Sequence, residues 1–333
     1  MYATLDQTPM GKKCIFQLSL STILLASMLI LSNMRTDGFT FAATYANVTV
    51  HFIDAGQGDS ILIDTSGVDV LVDGGPQAAG ATVLNYVNGL NITHINLMVA
   101  THMHEDHIGG LITILSSTVQ VDEILVNNQP DNTLAYTNFM NLAKSHTILA
   151  AQRGQVYNLT ATANLTILNP VQPLEFTDQN ENSIVMRLQV GETSFLLDGD
   201  AEANAEHSML NSGLDLKSNV LKVGHHGSRY ATTDEYLDKV KPKYAIISAG
   251  KDNPYGHPHA ETVQRLLAHG VTIYGTFKSG TIVSSTDGTS ITFQNSPQAI
   301  PEFPSILIPS MFMLTLLCAL IVCKKKRSVS SRT

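Results

Sequence analysis

From Asn47 to Phe293 the chain consists of short apolar runs broken by polar, glycine-bearing stretches, the pattern of strands mixed with helices. Val48 to Asp54 alternates and is rich in β-branched residues, so it reads as a strand. Ser60 to Asp64 and Val68 to Asp73 follow as two more, joined by the turn Thr65-Ser66-Gly67. A helix over 81–88 leads to the apolar strand Ile95 to Ala100, after which a helix begins at Ile108. The pattern then predicts a strand over 123–126, an amphipathic helix over 132–143 that also carries His146, and a polar β region over 155–169. Strands over 184–190, 194–200 and 220–223 follow, the last two separated by a helix over 201–210. A strand over 244–248, a helix over 261–267 and strands over 271–275, 281–285 and 290–293 complete this region.

Both ends depart from that pattern. Lys12-Lys13 precedes the apolar run Cys14 to Leu31, and small residues follow near Ala43 to Ala46, as in a secretory signal or an N-terminal anchor. Near the other end, Pro301-Glu302-Phe303-Pro304 precedes the apolar run Ile306 to Cys323 and the basic cluster Lys324 to Arg327, a stop-transfer arrangement. It places the cluster in the cytoplasm and the body outside. The PEFP stretch also resembles the C-terminal sorting signals of archaeal surface proteins, which implies a sorting enzyme acting on the tail. The expected organisation is a signal or anchor over 1–46, a single globular domain over 47–296, and a linker, transmembrane segment and basic tail over 297–333. N-x-Thr triplets at Asn47, Asn91, Asn158 and Asn164 agree with an exported body.

Composition narrows the chemistry. All three cysteines, Cys14, Cys318 and Cys323, fall in the apolar ends, so the body has no disulfide, thiolate ligand or cysteine nucleophile. Of 20 basic and 28 acidic residues, eight and three lie before Asn47 or after Gln298, leaving the body 12 against 25 and a balance of −13. Such a body repels polyanions, so no stable complex with long nucleic acid is expected.

The densest chemistry is Val99 to Leu111, VATHMHEDHIGGL, in which His102, His104, Asp106 and His107 form H-x-H-x-D-H. Imidazole and carboxylate are the ligands of first-row dications, and His102 and His104, two apart on extended chain, point to one side. Asp106 and His107 fall in the first turn of the following helix and can face a second ion. Gly109 and Gly110 let that helix sit close to the strands beneath. Asp200, ending the strand with Asp198-Gly199-Asp200, is the candidate to bridge two cations. The strand to Val223 delivers His225 and His226; one of them completes the metal shell and the other holds substrate or shuttles protons. The assignment adopted is His225 to metal and His226 to catalysis. His257 is a further ligand or substrate contact, and His259 orients it or caps the helix that follows. Asp73 can accept a hydrogen bond from a ligand histidine and fix its tautomer. Asp54, Gln57 and Asp59 surround a glycine-rich loop able to approach an anion.

The ordered stretches FIDAGQGDSILI, VLVDGG, THMHEDHIGG, NSIVMRL, LLDGDAE, LKVGHHGS and YGHPH resemble the metallo-β-lactamase superfamily, and within it the hydrolase domain of ComEC-type DNA-uptake proteins. The resemblance implies an α/β fold, a four-layer αββα sandwich with the metal site on one edge. It also implies hydrolysis of phosphodiester bonds. The channel of those proteins is absent here, so DNA uptake does not carry over. Many superfamily members place a histidine between H-x-H-x-D-H and the bridging aspartate; here Asn182-Ser183 stands in that interval.

The expected activity is thus an exported, membrane-anchored hydrolase using water activated by one or two divalent ions, zinc or else manganese. Asp106 doubles as proton acceptor, and Lys222 or Ser228 helps neutralise charge developing on a phosphodiester or other small to oligomeric substrate. An esterase or lactonase of the same fold is the enzyme alternative, and a surface binding module with a non-catalytic metal the alternative of another class.

Overall fold

A computed structural model describes residues 45–65 and 67–297. The apolar runs 14–31 and 306–323, expected to be a signal or N-terminal anchor and a membrane span or sorting signal, lie outside the described residues. Among the described residues, no helix is long and apolar enough to cross a membrane.

The strands pair into two sheets. The first holds β1 (Val48–Phe52), β2 (Ile61–Thr65), β3 (Asp69–Val72), β4 (His94–Ala100), β5 (Gln120–Val126) and β6 (Thr147–Ala150) side by side, extended beyond β1 by β14 (Ile282–Thr286) and β15 (Ile291–Phe293). The second runs from β7 (Val156–Asn158) through β8 (Ala163–Asn169), β9 (Val185–Val190), β10 (Thr193–Leu197), β11 (Val220–Lys222) and β12 (Tyr244–Ile247) to β13 (Thr272–Gly275). Each sheet is antiparallel in one half and parallel in the other; β3 to β6 and β10 to β13 are the parallel sets.

Alternation along the strands builds the layers. Leu97 and Val99 of β4 pack with Phe195 and Leu197 of β10 in a core between the sheets. Met98 and Ala100, pointing the other way, pack under the helices α1 (Gly80–Gly89), α2 (Glu105–Leu115) and α3 (Leu134–Ala143). Leu196 and Leu221 face a third core beneath α4 (Ala203–Leu210), α5 (Asp234–Val240) and α6 (Ala260–Ala268). Strands buried on both faces explain why the apolar runs are continuous rather than alternating. The result is the expected αββα order, closed by the short helix α7 (Thr276–Ser279).

Three expectations need correction. Helix α2 starts at Glu105 rather than Ile108, with His104 extended ahead of it and Glu105 and Asp106 in its positive first turn. His146 lies past α3, where its Nδ1 is 3.0 Å from the Val121 carbonyl. Gly109 and Gly110 press on backbone at Pro76-Gln77 and Gly74, the loop after β3, not on strands. Strand β6 and helix α5 escaped the sequence pattern. The first is a four-residue edge strand, mostly exposed; the second is seven residues long and is fixed by its cap, Thr233, which accepts from the Tyr236 N–H.

A methyl group at Gly110 would collide with the carbonyl of Gly74, which cannot retreat because the Gly74 N–H donates to the His107 carbonyl at 2.8 Å. Gly110→Ala is expected to destabilise by about 1–3 kcal/mol, measured by urea unfolding. Gly89→Ala, at the end of α1 with nothing near its added methyl, is expected to stabilise by roughly 0.5–1 kcal/mol.

Candidate metal centre

Five strand ends meet at one rim of the sandwich. Asp73 follows β3, Thr101 to His107 follow β4, Asp198 to Asp200 follow β10, His225 and His226 follow β11, and Ser248 follows β12. All are carboxyl ends of strands in the parallel sets, where loops leave the sheet and side chains converge. Gly199, at φ +53°, makes the sharp turn between Asp198 and Asp200.

Asp106, His107, Asp200 and His226 form a tight group, each offering one donor atom within 4.8 Å of the others, and Asp59, Asp73 and His107 form a second, wholly buried one. Nε2 of His107 lies 3.2 Å from Asp200 Oδ1, and Nε2 of His226 lies 3.3 Å from Asp106 Oδ2 and 3.5 Å from Asp200 Oδ2. Those three atoms, Nε2 of both histidines and Asp200 Oδ1, are buried without a hydrogen-bond partner. Buried polar atoms are normally satisfied, and orphans aimed at one point with mixed nitrogen and oxygen character suit a borderline dication. The donor set therefore fits a divalent metal.

His102 and His104 flank this group. Nε2 of His102 is 2.9 Å from Nδ1 of His104 and 4.0 Å from Asp200 Oδ2. On the other side, Nε2 of His225 is 3.6 Å from Asp200 Oδ2, so Asp200 sits between two sets of imidazoles. His257 lies further out, its ring centroid 5.4 Å from that of His225 and 6.1 Å from that of His226. Both paired histidines thus stand beside Asp200, in different surroundings. His226 lies in the tight group, whereas His225 is a quarter exposed, at 25%, with Nδ1 2.6 Å from Glu202 Oε1. Both have left-handed backbone, φ +45° and +53°, a conformation that non-glycine residues adopt at a cost of about 1–3 kcal/mol.

A second layer holds these rings. Asp73 Oδ2 lies 2.7 Å from Nδ1 of His107, which leaves Nε2 as the free donor. Asp73 is itself held by the N–H and hydroxyl of Thr101 at 2.8 and 2.7 Å. Ser183 accepts from the Asp200 N–H at 3.2 Å and has its hydroxyl 3.3 Å from His102 Nδ1. Asn182, expected beside it in the site, instead braces the loop 176–182, donating to Phe176 and Asp178 carbonyls and to Gln129. Lys222, expected to neutralise charge on the substrate, is wholly buried with Nζ 2.6 Å from Asp59 Oδ2 and cannot reach one. Ser228 is likewise buried and donates to Glu202 at 3.3 Å. His259 accepts from the Arg229 N–H at 3.0 Å and makes no side-chain cap to α6. Thr101 and Glu202 were missed. Glu202 stands two residues after Asp200 with extended backbone of its own, a spacing that could have marked it.

The charges interlock. Burial pushes Asp200 up, but His107, His226 and His225 outweigh it and hold the carboxyl well below the usual range. Burial pushes His107 down, yet Asp200, Asp73 and Asp106 raise it well above the ordinary imidazole value. His226, opposed by burial in the same way, is raised to about 9 by Asp200, Asp59 and Asp106. Burial and the charge on His107 keep His102 well below the ordinary value, and burial with His225 and His226 lowers His257 to about 4.

A cleft of about 660 Å³ opens beside the cluster, lined by Asp54, Gln57, Pro76, Ala79, Asp106 and Tyr255 among others. Asp54 accepts from the Gly56 N–H at 3.2 Å, and Gln57 reaches toward His257, Nε2 to Nδ1 3.4 Å, while accepting from the Gly250 N–H. Tyr255 is exposed and stacked on His257 with ring centroids 5.8 Å apart. Three other histidines serve elsewhere: His51 meets the Tyr86 hydroxyl, His94 pairs with Asp122 and His269 with Asp234.

A family model described as the metallo-beta-lactamase superfamily matches residues 53–251. ComE operon protein 3 of Bacillus subtilis is 29% identical over 273 residues, covering 73% of this chain and 34% of that protein. Recombination protein 2 of Haemophilus influenzae is 31% identical over 240 residues, covering 70% and 28% respectively. The chain spans no more than 34% of the length of either relative. Among solved structures, the metallo-beta-lactamase fold protein YhfI from Bacillus subtilis aligns with a TM-score of 0.49 at 13% identity, over 72% of this chain and 100% of that one. The two mixed sheets under helices, the histidine–aspartate cluster at their shared rim and a family match over most of the described body lead to one assignment: the chain belongs to the metallo-β-lactamase superfamily, with relatives of the ComEC type.

Proposed function

We propose that this chain is a metal-dependent phosphodiesterase whose reaction centre is the group Asp106, His107, Asp200 and His226. The observation that carries it is the set of buried, unpartnered donor atoms directed at one point beside an open cleft. A divalent ion held there, zinc or manganese by its donors, would supply Lewis acidity and a water acidified enough to ionise near neutral pH. His102 and His225, near Asp200, with His104 beside His102, are the residues that would hold a second ion. Asp73 orients His107, and Thr101 orients Asp73. Asp106, partly exposed at the foot of the cleft, accepts the proton that the attacking water gives up. Gln57 and Tyr255 line the space for the part of the substrate that does not react. The motif order shared with ComEC-type hydrolase domains supports a phosphodiester, and the acidic body supports short substrates over long nucleic acid.

The proposal extends to location. The apolar runs 14–31 and 306–323 and the basic cluster at 324–327 support an exported hydrolase domain, 47–296, tethered at the cell surface. The PEFP stretch supports processing of the tail by a sorting enzyme.

Turnover of bis(p-nitrophenyl) phosphate, a p-nitrophenyl ester and a lactone, with zinc or manganese and after chelation, tests the activity. Phosphodiester hydrolysis that needs metal is expected, and His104→Ala or Asp200→Asn should each lower it by more than about 100-fold while circular dichroism stays native. Turnover of the ester or lactone alone would make it an esterase or lactonase, and metal binding without turnover would make it a binding module.

The raised value of His226 fixes a pH dependence. Its imidazolium stabilises the metal-free fold fully below about 6.5, the unfolded value, and that contribution is lost as pH rises through about 9. Metal-free unfolding free energy is expected to fall over this window, while zinc affinity rises because protons compete less for the nitrogen. Denaturant titrations of metal-free protein and chelator competition at several pH values check both signs.

A further inference from the structure

On the far side of the His226 ring lies an ion pair that the reaction chemistry does not use. Lys222 ends β11 wholly buried, with Nζ 2.6 Å from Asp59 Oδ2 and donating to the Val223 carbonyl at 2.9 Å. Asp59 is buried too, and its other oxygen, Oδ1, stands 3.3 Å from Nδ1 of His226. That nitrogen is also 3.0 Å from the carbonyl of Ser248, just past β12. Nδ1 is therefore hydrogen-bonded to Ser248 and faces the charge of Asp59, whose Oδ1 has no hydrogen-bond partner, while Nε2 faces Asp106 and Asp200. The backbone of Asp59 is tied in as well: its N–H donates to the Asp106 carbonyl at 3.3 Å, and its carbonyl accepts from the Gly75 N–H at 2.7 Å.

Stability does not account for such a pair. Desolvation consumes most of what two buried charges gain from each other, and an apolar pair of similar volume commonly does as well. What only the charged pair provides is a fixed carboxylate behind the His226 ring, on a turn whose left-handed backbone resists its own conformation. We propose that Lys222 and Asp59 are positioning residues for the metal centre: Lys222 compensates and fixes Asp59, and Asp59 holds the His226 imidazole with Nε2 toward the cluster. The inference rests on the metal-centre reading above.

The test is a cycle of zinc affinities, read by competition with a chromogenic chelator on the full chain, with metal-free melting as the fold control. Asp59→Leu/Lys222→Met removes both charges and keeps the volume. It is expected to weaken zinc binding about 10- to 100-fold with metal-free melting retained, and to cause no further loss in a His226→Ala background. Zinc affinity equal to wild type, or a loss that simply adds to that of His226→Ala, would overturn the proposal and leave the pair as packing. Should the Leu–Met pair fail to fold, Asp59→Asn/Lys222→Gln goes through the same cycle. A loss confined to chains that keep His226 supports the proposal, and no loss or an additive one overturns it. Absence of zinc binding by the unsubstituted chain would remove the metal-centre reading itself.

Discussion

Carboxylates withdrawn from water beside imidazoles are the constraint on which the rest of this fold depends. Asp59, Asp73 and Asp200 are buried, and Asp106 is partly so, all within contact of His107 or His226. Buried charge is tolerated only with compensation of opposite sign. Without metal, that compensation comes from Lys222 and from histidines raised above their ordinary values. A dication at the same point would satisfy the orphaned nitrogens and the free carboxylate oxygen together, and would take over from protons.

The two sheets make this crowding achievable. Parallel pairing of β3 with β4, and of β10, β11 and β12, sends five loops out at one rim, so side chains from residues as far apart as 73 and 226 meet in one connected cluster. Close approach of α2 to the loop after β3, through Gly110 and Gly74, sets the height of Asp106 and His107 above that rim. Core packing and metal chemistry are therefore coupled: a methyl group added at Gly110 presses on the segment that carries two of the four donors.

The legible parts of the sequence were those with local signatures. Apolar runs buried on both faces marked most strands, and H-x-H-x-D-H with Asp200 and the paired histidines marked the site, because ligand chemistry needs these residue types. The rest depends on contacts between distant segments. Nothing local distinguishes His225 from His226; their roles follow from Glu202 on one side and Ser248 and Asp59 on the other. Lys222 read as a helper at the substrate because a lysine seldom stays buried, and only the ion pair with Asp59, far away in sequence, explains its burial. Asn182 sat at the right place in the order but serves the loop above, leaving its neighbour Ser183 to face His102.

The central claim is that Asp106, His107, Asp200 and His226 share a divalent ion. Anomalous diffraction at the zinc edge from crystals grown with zinc tests it most directly. The account predicts a peak within bonding distance of Nε2 of both histidines and of oxygens from both aspartates. Zinc absent from that point in crystals soaked to saturation, or bound only elsewhere, would contradict it.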